Sequence, residues 1–298
     1  MAEKPTVGFV GIGNMGGPMV RRLRVAGFQV RIFDVRTEAT AALAAEPGIT
    51  VAASLADAGD GLGVVIAMLP DSKIVRSAAL GSAGAPGFTQ RMAKGGLVID
   101  MSSSYAPDTQ SLAADLAPAG LALIDAPVSG GVGKAVTGTL AIMTGGTAAN
   151  IDRAEPILSA MGTIHRTGAL GSGHAMKALN NYVSAAGLIA TCEALVVGQK
   201  FGLDPQVMTA VLNASTGKNN TTENKVEKFM LSGKFDSGFA LALMEKDVGM
   251  AEALAKSLGL GAPELALVRR ELAAGLDALG RAADHTAMYR YVAERGRG

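Results

Sequence analysis

A doubly wound, mostly parallel α/β sheet followed by an all-helical domain is the architecture that the 298-residue sequence predicts, on three observations. Short apolar segments alternate with helical patterns over residues 6–11, 30–34, 63–69, 97–100, 122–126 and 140–144, and most end in glycine, proline, serine or aspartate. Strands that alternate with helices are joined by right-handed crossovers, which makes the sheet parallel and puts helices on both faces. Past residue 168 the pattern is helical only, over 174–201, 205–213, 224–231, 243–258 and 263–279, with breaks at Gly202, Gly217, Gly233 and Gly259 to Gly261. Finally, the first apolar segment runs straight into glycines at 11, 13 and 16.

Those glycines define the first element. Val7 to Gly11 reads as a buried parallel strand, Ile12 to Met15 as the turn, and Met19, Val20, Leu23 and Val25 as the apolar stripe of the helix that follows. The pattern is G-x-G-x-x-G between a strand and a helix, the context in which the backbone of Gly11, Gly13, Asn14, Met15 and Gly16 can face a pyrophosphate at a positive helix end. Gln29 to Asp34 is the second strand, and Asp34 stands 18 residues after Gly16. An acid about 20 residues on reaches the adenosine ribose hydroxyls. Its charge repels a 2′-phosphate, so NAD is the expected cofactor, with NADP the alternative that Arg36 favours. The expected division is therefore 1–166 for a dinucleotide-binding domain of the Rossmann type and 167–298 for an all-α substrate and oligomerisation domain that starts with a long interdomain helix.

The composition narrows the partners. Hydrophobic residues make up 49% and charged ones 18%, with 27 basic side chains against 26 acidic. No charge excess recruits nucleic acid or an anionic membrane, and a small-molecule substrate fits better. Cys192 is the sole cysteine, which excludes an internal disulfide and any cysteine-cluster metal site; it reads as a core residue. No basic leader with an apolar stretch precedes Val7, and no uninterrupted apolar run reaches about 18 residues, so a cytoplasmic location is expected. His165 and His285 lack companions at metal-ligand spacing, and no metal is expected.

Two further segments point to chemistry. The apolar segment at 122–126 closes on Asp125-Ala126-Pro127-Val128-Ser129-Gly130-Gly131, and ligands of doubly wound sheets bind beyond the carboxyl ends of strands. The Ser129 hydroxyl and the N–H groups of Gly130 and Gly131 could cradle a carboxylate; equally, Ser129 could simply cap the next helix. Gly171-Ser172-Gly173-His174-Ala175-Met176-Lys177-Ala178-Leu179-Asn180-Asn181 opens the long helix, where Lys177 and Asn181, four apart, share a face. Burying a lysine lowers its pKa and suits it to exchange a proton with an alcohol or carbonyl oxygen. His174, one turn earlier, has no identifiable partner acid and reads as a packing or local hydrogen-bonding residue.

The segments GFVGIGNMGGPM at 8–19, DAPVSGGVGKAVTGTL at 125–140, GSGHAMKALNN at 171–181 and the pair Lys246-Asp247 resemble, in order and spacing, the β-hydroxyacid dehydrogenases, the group of 3-hydroxyisobutyrate dehydrogenase and tartronate semialdehyde reductase. The resemblance implies that Lys177 is the catalytic acid/base, that Ser129, Gly130 and Gly131 hold the substrate carboxylate, and that Asn181 orients substrate or lysine. It implies further that Met68, Leu69, Pro70 and Ser103 line the cofactor and that Lys246 approaches it; the family often has threonine where Ser103 stands, and the hydroxyl is kept. A homodimer or homotetramer is expected. The implied activity is hydride transfer between NAD or NADP and a small 3-hydroxy acid or its semialdehyde. An imine reductase on the same scaffold generally lacks the lysine, and a non-catalytic cofactor-binding module would have lost it too. The polar run 215–222, with Asn219 and Asn220, and Lys134 lead us to expect a substrate more polar than 3-hydroxyisobutyrate.

Overall fold

Residues 4–82 and 84–295 are described by a computed structural model, in which the chain forms two units, one ending at Lys177 and the other starting at Ala178. The first unit is built on β1 (Val7–Val10), whose four residues are all buried because helices cover both faces of the sheet. It continues through α1 (Gly16–Val25), β2 (Val30–Phe33), α2 (Thr37–Ala44), β3 (Ile49–Val51), α3 (Leu55–Gly59), β4 (Val64–Ala67), α4 (Ser72–Leu80), the hairpin β5 (Gly81–Ser82) and β6 (Ala85–Pro86), and β7 (Leu97–Asp100). Then come α5 (Ala106–Leu116), β8 (Ala122–Asp125), β9 (Val128–Ser129), α6 (Gly131–Thr137), β10 (Leu140–Gly145), α7 (Ala148–Leu158) and β11 (Gly162–Gly168).

The main sheet has the order β11-β10-β8-β7-β4-β1-β2-β3. From β3 to β8 every pairing is parallel, and β1 and β4 are neighbours although the chain leaves β1 towards β2. That reversal is the switch point at which the carboxyl ends of the strands open a crevice for a ligand. β10 turns antiparallel, pairing Gly145 with Asp125 and Ala141 with Ser129. This brings the end of β10 against the root of the Asp125 to Gly131 segment. The core lies on both sides of the sheet, with Phe9, Met19, Leu23, Ile32, Leu97 and Ile99 in one cluster and Val65, Val75, Phe88, Leu112 and Leu116 in another.

The second unit contains most of α8 (Ser172–Phe201), a helix of 30 residues and about 45 Å. It is followed by α9 (Pro205–Ala214), α10 (Asn220–Asn224), one π-turn (Val226–Leu231), α11 (Leu241–Ser257), α12 (Pro263–Leu279) and α13 (Met288–Arg295). Ala185, Leu188, Cys192 and Leu195 repeat at helical spacing and pack with Leu241, Met244 and Val248 of α11 and Leu265 and Leu272 of α12. By length and composition α8 could cross a membrane, but those four residues are fully buried in the helical core. Cys192 lies inside that core and burial pushes its thiol up to about 12, which makes it an inert packing residue.

The same interior holds His285, whose Nδ1 lies 2.9 Å from the Phe239 carbonyl and whose pKa burial lowers to about 4. An unfolded histidine titrates near 6.5, so the unfolded chain takes up the proton first as the pH falls. The stability that neutral His285 contributes is complete above 6.5 and is lost as the pH drops towards 4, a loss of about 2 kcal/mol between pH 7 and 4.5. Urea titrations at those two pH values should show His285→Asn losing less stability on acidification than the wild type. Equal losses would remove His285 from the acid sensitivity of the fold.

Candidate active site

The glycine turn has the geometry of a dinucleotide cradle. Gly11 has φ of +101° and a Cβ there would lie 2.2 Å from the Met68 carbonyl oxygen, so the turn between β1 and α1 closes onto the end of β4 only with glycine. A Cβ on Gly16 would lie 2.0 Å from the Gly11 carbonyl, which lets α1 pack tightly on its own strand. Gly13 faces open space, its nearest neighbour being an Arg36 guanidinium nitrogen 3.7 Å from a Cβ. These are the three roles that the motif asks of its glycines, and no side chain caps the N-terminus of α1, beside Asn14 and Met15. The residues therefore fit a bound pyrophosphate.

At the end of β2, Asp34 serves the turn as well as any ribose. One carboxylate oxygen accepts the Ile12 N–H at 2.7 Å, and the other accepts the backbone N–H of Arg36 at 2.9 Å and its Nε at 3.3 Å. Burial raises the Asp34 pKa, but the backbone and side-chain hydrogen bonds from Arg36 and the Ile12 N–H together outweigh it, and the carboxyl is held below its ordinary range. Met68, Leu69 and Pro70 follow β4, and Ser103 follows β7, both at carboxyl ends of strands. The Leu69 N–H donates to the Ser102 hydroxyl at 2.9 Å, which ties these two loops together.

Ser129 ends β9, and the N-cap of α6 is Gly130, with φ of +129° and no side-chain cap bond. The serine hydroxyl is thus not the helix cap that a structural reading would make it. A Cβ on Gly130 would meet the Lys134 stem at 2.5 Å, so the exposed Lys134 leans its methylenes over this backbone.

Lys177 sits in the second turn of α8 and is 9% exposed. The first turn of that helix is anchored to strand ends by Asp125, whose carboxylate accepts the N–H groups of Gly171 at 2.7 Å and His174 at 2.8 Å. Gly173 lies so close to β10 that a Cβ would stand 2.2 Å from the Met143 carbonyl oxygen. Sequence reasoning missed these anchors. In the sequence Asp125 stands out only as the start of a loop motif and no acid neighbours His174, whereas in the fold Asp100 and Asp125 both lie within 4 Å of the imidazole. Their distance along the chain hides them.

In the second unit, Asn181 is 7% exposed and donates through Nδ2 to the buried carboxylate of Asp247 at 2.5 Å. Lys246 Nζ lies 3.3 Å from the other Asp247 oxygen, and Asn180 donates to Asn181 Oδ1 at 3.2 Å. Asp247 thereby brings together two residues that the sequence singled out, Asn181 and Lys246. The polar run 215–222 is different. Asn219 forms a capping box with Thr222 at the start of α10, and its Nδ2 donates to Thr191 of α8 at 3.1 Å. Its side chain is spent on structure, so it is no test of substrate preference.

Comparison with known proteins identifies the family. Residues 6–171 match the family model described as the NAD binding domain of 6-phosphogluconate dehydrogenase, and residues 171–292 match that described as NAD-binding of NADP-dependent 3-hydroxyisobutyrate dehydrogenase. The chain is 40% identical to the 3-hydroxyisobutyrate dehydrogenase of Pseudomonas aeruginosa, over 88% of this chain and 89% of that protein. It is 36% identical to the 3-sulfolactaldehyde reductase of Escherichia coli, over 92% of this chain and 91% of that one. A solved structure of the Mycobacterium tuberculosis 3-hydroxyisobutyrate dehydrogenase with L-serine superposes with a TM-score of 0.88 at 34% identity, covering 97% of this chain and 99% of that one. The chain belongs to the β-hydroxyacid dehydrogenase family and is an NAD(P)-dependent oxidoreductase of hydroxy acids and their semialdehydes.

Proposed function

We propose that the chain catalyses reversible oxidation of a small 3-hydroxy acid to its semialdehyde with Lys177 as acid/base, a reading carried by the burial of that lysine one turn after a helix start anchored to the strand ends. A nicotinamide, when bound, would supply the hydride acceptor. Lys177, neutral, takes the hydroxyl proton in oxidation; protonated, it returns the proton in reduction and offsets the charge on oxygen. The Ser129 hydroxyl and the N–H groups of Gly130 and Gly131 hold the carboxylate and choose which face of the carbon is presented. Asn181, one turn beyond Lys177 and oriented by Asp247, directs the substrate oxygen or the lysine. Gly11 to Gly16 would hold the pyrophosphate, and Met68, Leu69, Pro70 and Ser103 would line the cofactor; the role of Lys246 towards the cofactor rests on the family resemblance.

NAD is the proposed cofactor, because the Asp34 carboxylate stands at the end of β2 where a 2′-phosphate would go. Arg36 lies beside it and partly neutralises it, so the preference is moderate. kcat/KM measured with both cofactors should be higher for NAD, and Asp34→Asn should narrow the ratio by releasing Arg36 towards phosphate. A wild-type preference for NADP would assign the dominant contact to Arg36 instead.

The helical unit is proposed to mediate a homodimer or homotetramer, and the cytoplasm is its proposed compartment. On α8 the face opposite the core shows Val183, Ala190, Ala194, Val197 and Phe201 to solvent, the last 84% exposed. Val207 and Val211 of α9 are exposed as well, and exposed apolar side chains repeated along a helix face are the kind of surface that an interface covers. Light scattering should give a mass of at least twice 30.1 kDa, and a monomer at micromolar concentration would refute the assembly.

A further inference from the structure

His174 is 1% exposed and stands one turn before Lys177, yet none of the binding or proton-transfer roles above uses its ring. Nε2 lies 3.1 Å from the Ser102 carbonyl oxygen, which can only accept, so that nitrogen carries a proton. Nδ1 lies 2.8 Å from the hydroxyl of Thr109 in α5. The loop that the ring grips is itself built from hydrogen bonds. Asp100 accepts the Ser102 N–H at 2.9 Å and the Ser104 hydroxyl at 2.7 Å, while the Ser102 hydroxyl accepts the Leu69 N–H. The two stretches proposed to line the cofactor, 68–70 and 103, therefore hang on one group of bonds, and His174 joins that group to α8. From the other side, Asp125 holds the His174 backbone, and it does so from the root of the segment that leads to Ser129.

Asp100, Ser102, Ser104, Thr109, Asp125 and His174 are all buried, and buried polar groups of this kind are tolerated only when satisfied, as these are. We propose that His174 is a positioning residue: its ring, with its backbone seated on Asp125, fixes the turn of α8 that bears Lys177 against the 101–104 loop. A lysine has four flexible carbons, so its ammonium can be placed no better than the turn from which it springs. The inference rests on Lys177 being the acid/base.

The test is steady-state kinetics, NADH titration and a kcat pH profile for His174→Ala, His174→Gln and Thr109→Val. Displacement of a reacting group by about 1 Å costs up to about 10²-fold, and a loss of kcat approaching that size is expected in His174→Ala with unchanged NADH affinity. The pH profile should move as the surroundings of the lysine change. His174→Gln, whose amide N–H can reach the Ser102 carbonyl, should regain most of the loss, and Thr109→Val should show a smaller loss of the same kind. A wild-type kcat and pH profile in His174→Ala would overturn the proposal. So would a loss that glutamine does not restore and that follows a fall in NADH affinity. Should the alanine variant not fold, the other two decide on the same criteria. Lys177→Ala separates the two claims: if it is active, the acid/base reading fails; if it is inactive while His174→Ala behaves as wild type, only the positioning role fails.

Discussion

Lys177→Ala is expected to lower kcat by about 10²–10⁴-fold, the range that a positioned acid/base contributes, while NADH binds as it does to the wild type. Alanine is the best helix former, so α8 should persist, and the anchors of its first turn, Asp125 and His174, are untouched. The loss should fall on kcat rather than on cofactor affinity, because the cradle at Gly11 to Gly16 lies on other elements. Retention of a tenth of the wild-type kcat, a loss of only about 1.4 kcal/mol, would rule the lysine out as the proton-transfer group.

The second large effect is expected at Gly13. Its φ is not in the left-handed region and a Cβ there meets nothing closer than Arg36 at 3.7 Å, so Gly13→Val should fold with a nearly unchanged melting temperature. The added side chain would occupy the space that a pyrophosphate needs, and the NADH dissociation constant should rise by about 10²-fold, close to 3 kcal/mol. Gly16→Ala should do the reverse. Its Cβ would stand 2.0 Å from the Gly11 carbonyl, so overpacking should cost stability, about 1–3 kcal/mol, before it costs binding. Wild-type NADH affinity in Gly13→Val would mean that this turn does not hold the cofactor.

The sequence revealed those elements whose burial is continuous. β1, β7 and β8 are almost wholly buried, and they stand out as apolar runs closed by turn residues. β3 escaped notice because only Ile49 of its three residues is buried, and β11 because it is an edge strand with four exposed residues and a histidine and arginine in its middle. α13 is short and packs through Met288 and Val292, too few positions for a helical period to show. A single helix is expected over 224–231; instead α10 ends at Asn224 and a π-turn follows, with Val226 and Met230 buried. Of the residues proposed for the site, the glycines, Asp34, Ser129 and Lys177 stand out in the sequence because each lies in a local motif. The anchors of the lysine helix were not, since Asp125, Thr109 and Ser102 meet residues 171 and 174 across 46 to 72 positions of chain.

The central claim is that this site oxidises a carbinol one carbon removed from a carboxylate. Nicotinamide absorbance, followed with NAD and a panel of 3-hydroxy acids, 2-hydroxy acids and simple alcohols, tests it most directly. The 3-hydroxy acids should give the highest kcat/KM, and the alcohols that lack a carboxylate should give almost none because nothing fixes them at Ser129 to Gly131. Turnover of simple alcohols as efficient as that of the acids, or no cofactor reduction with any 3-hydroxy acid, would contradict it.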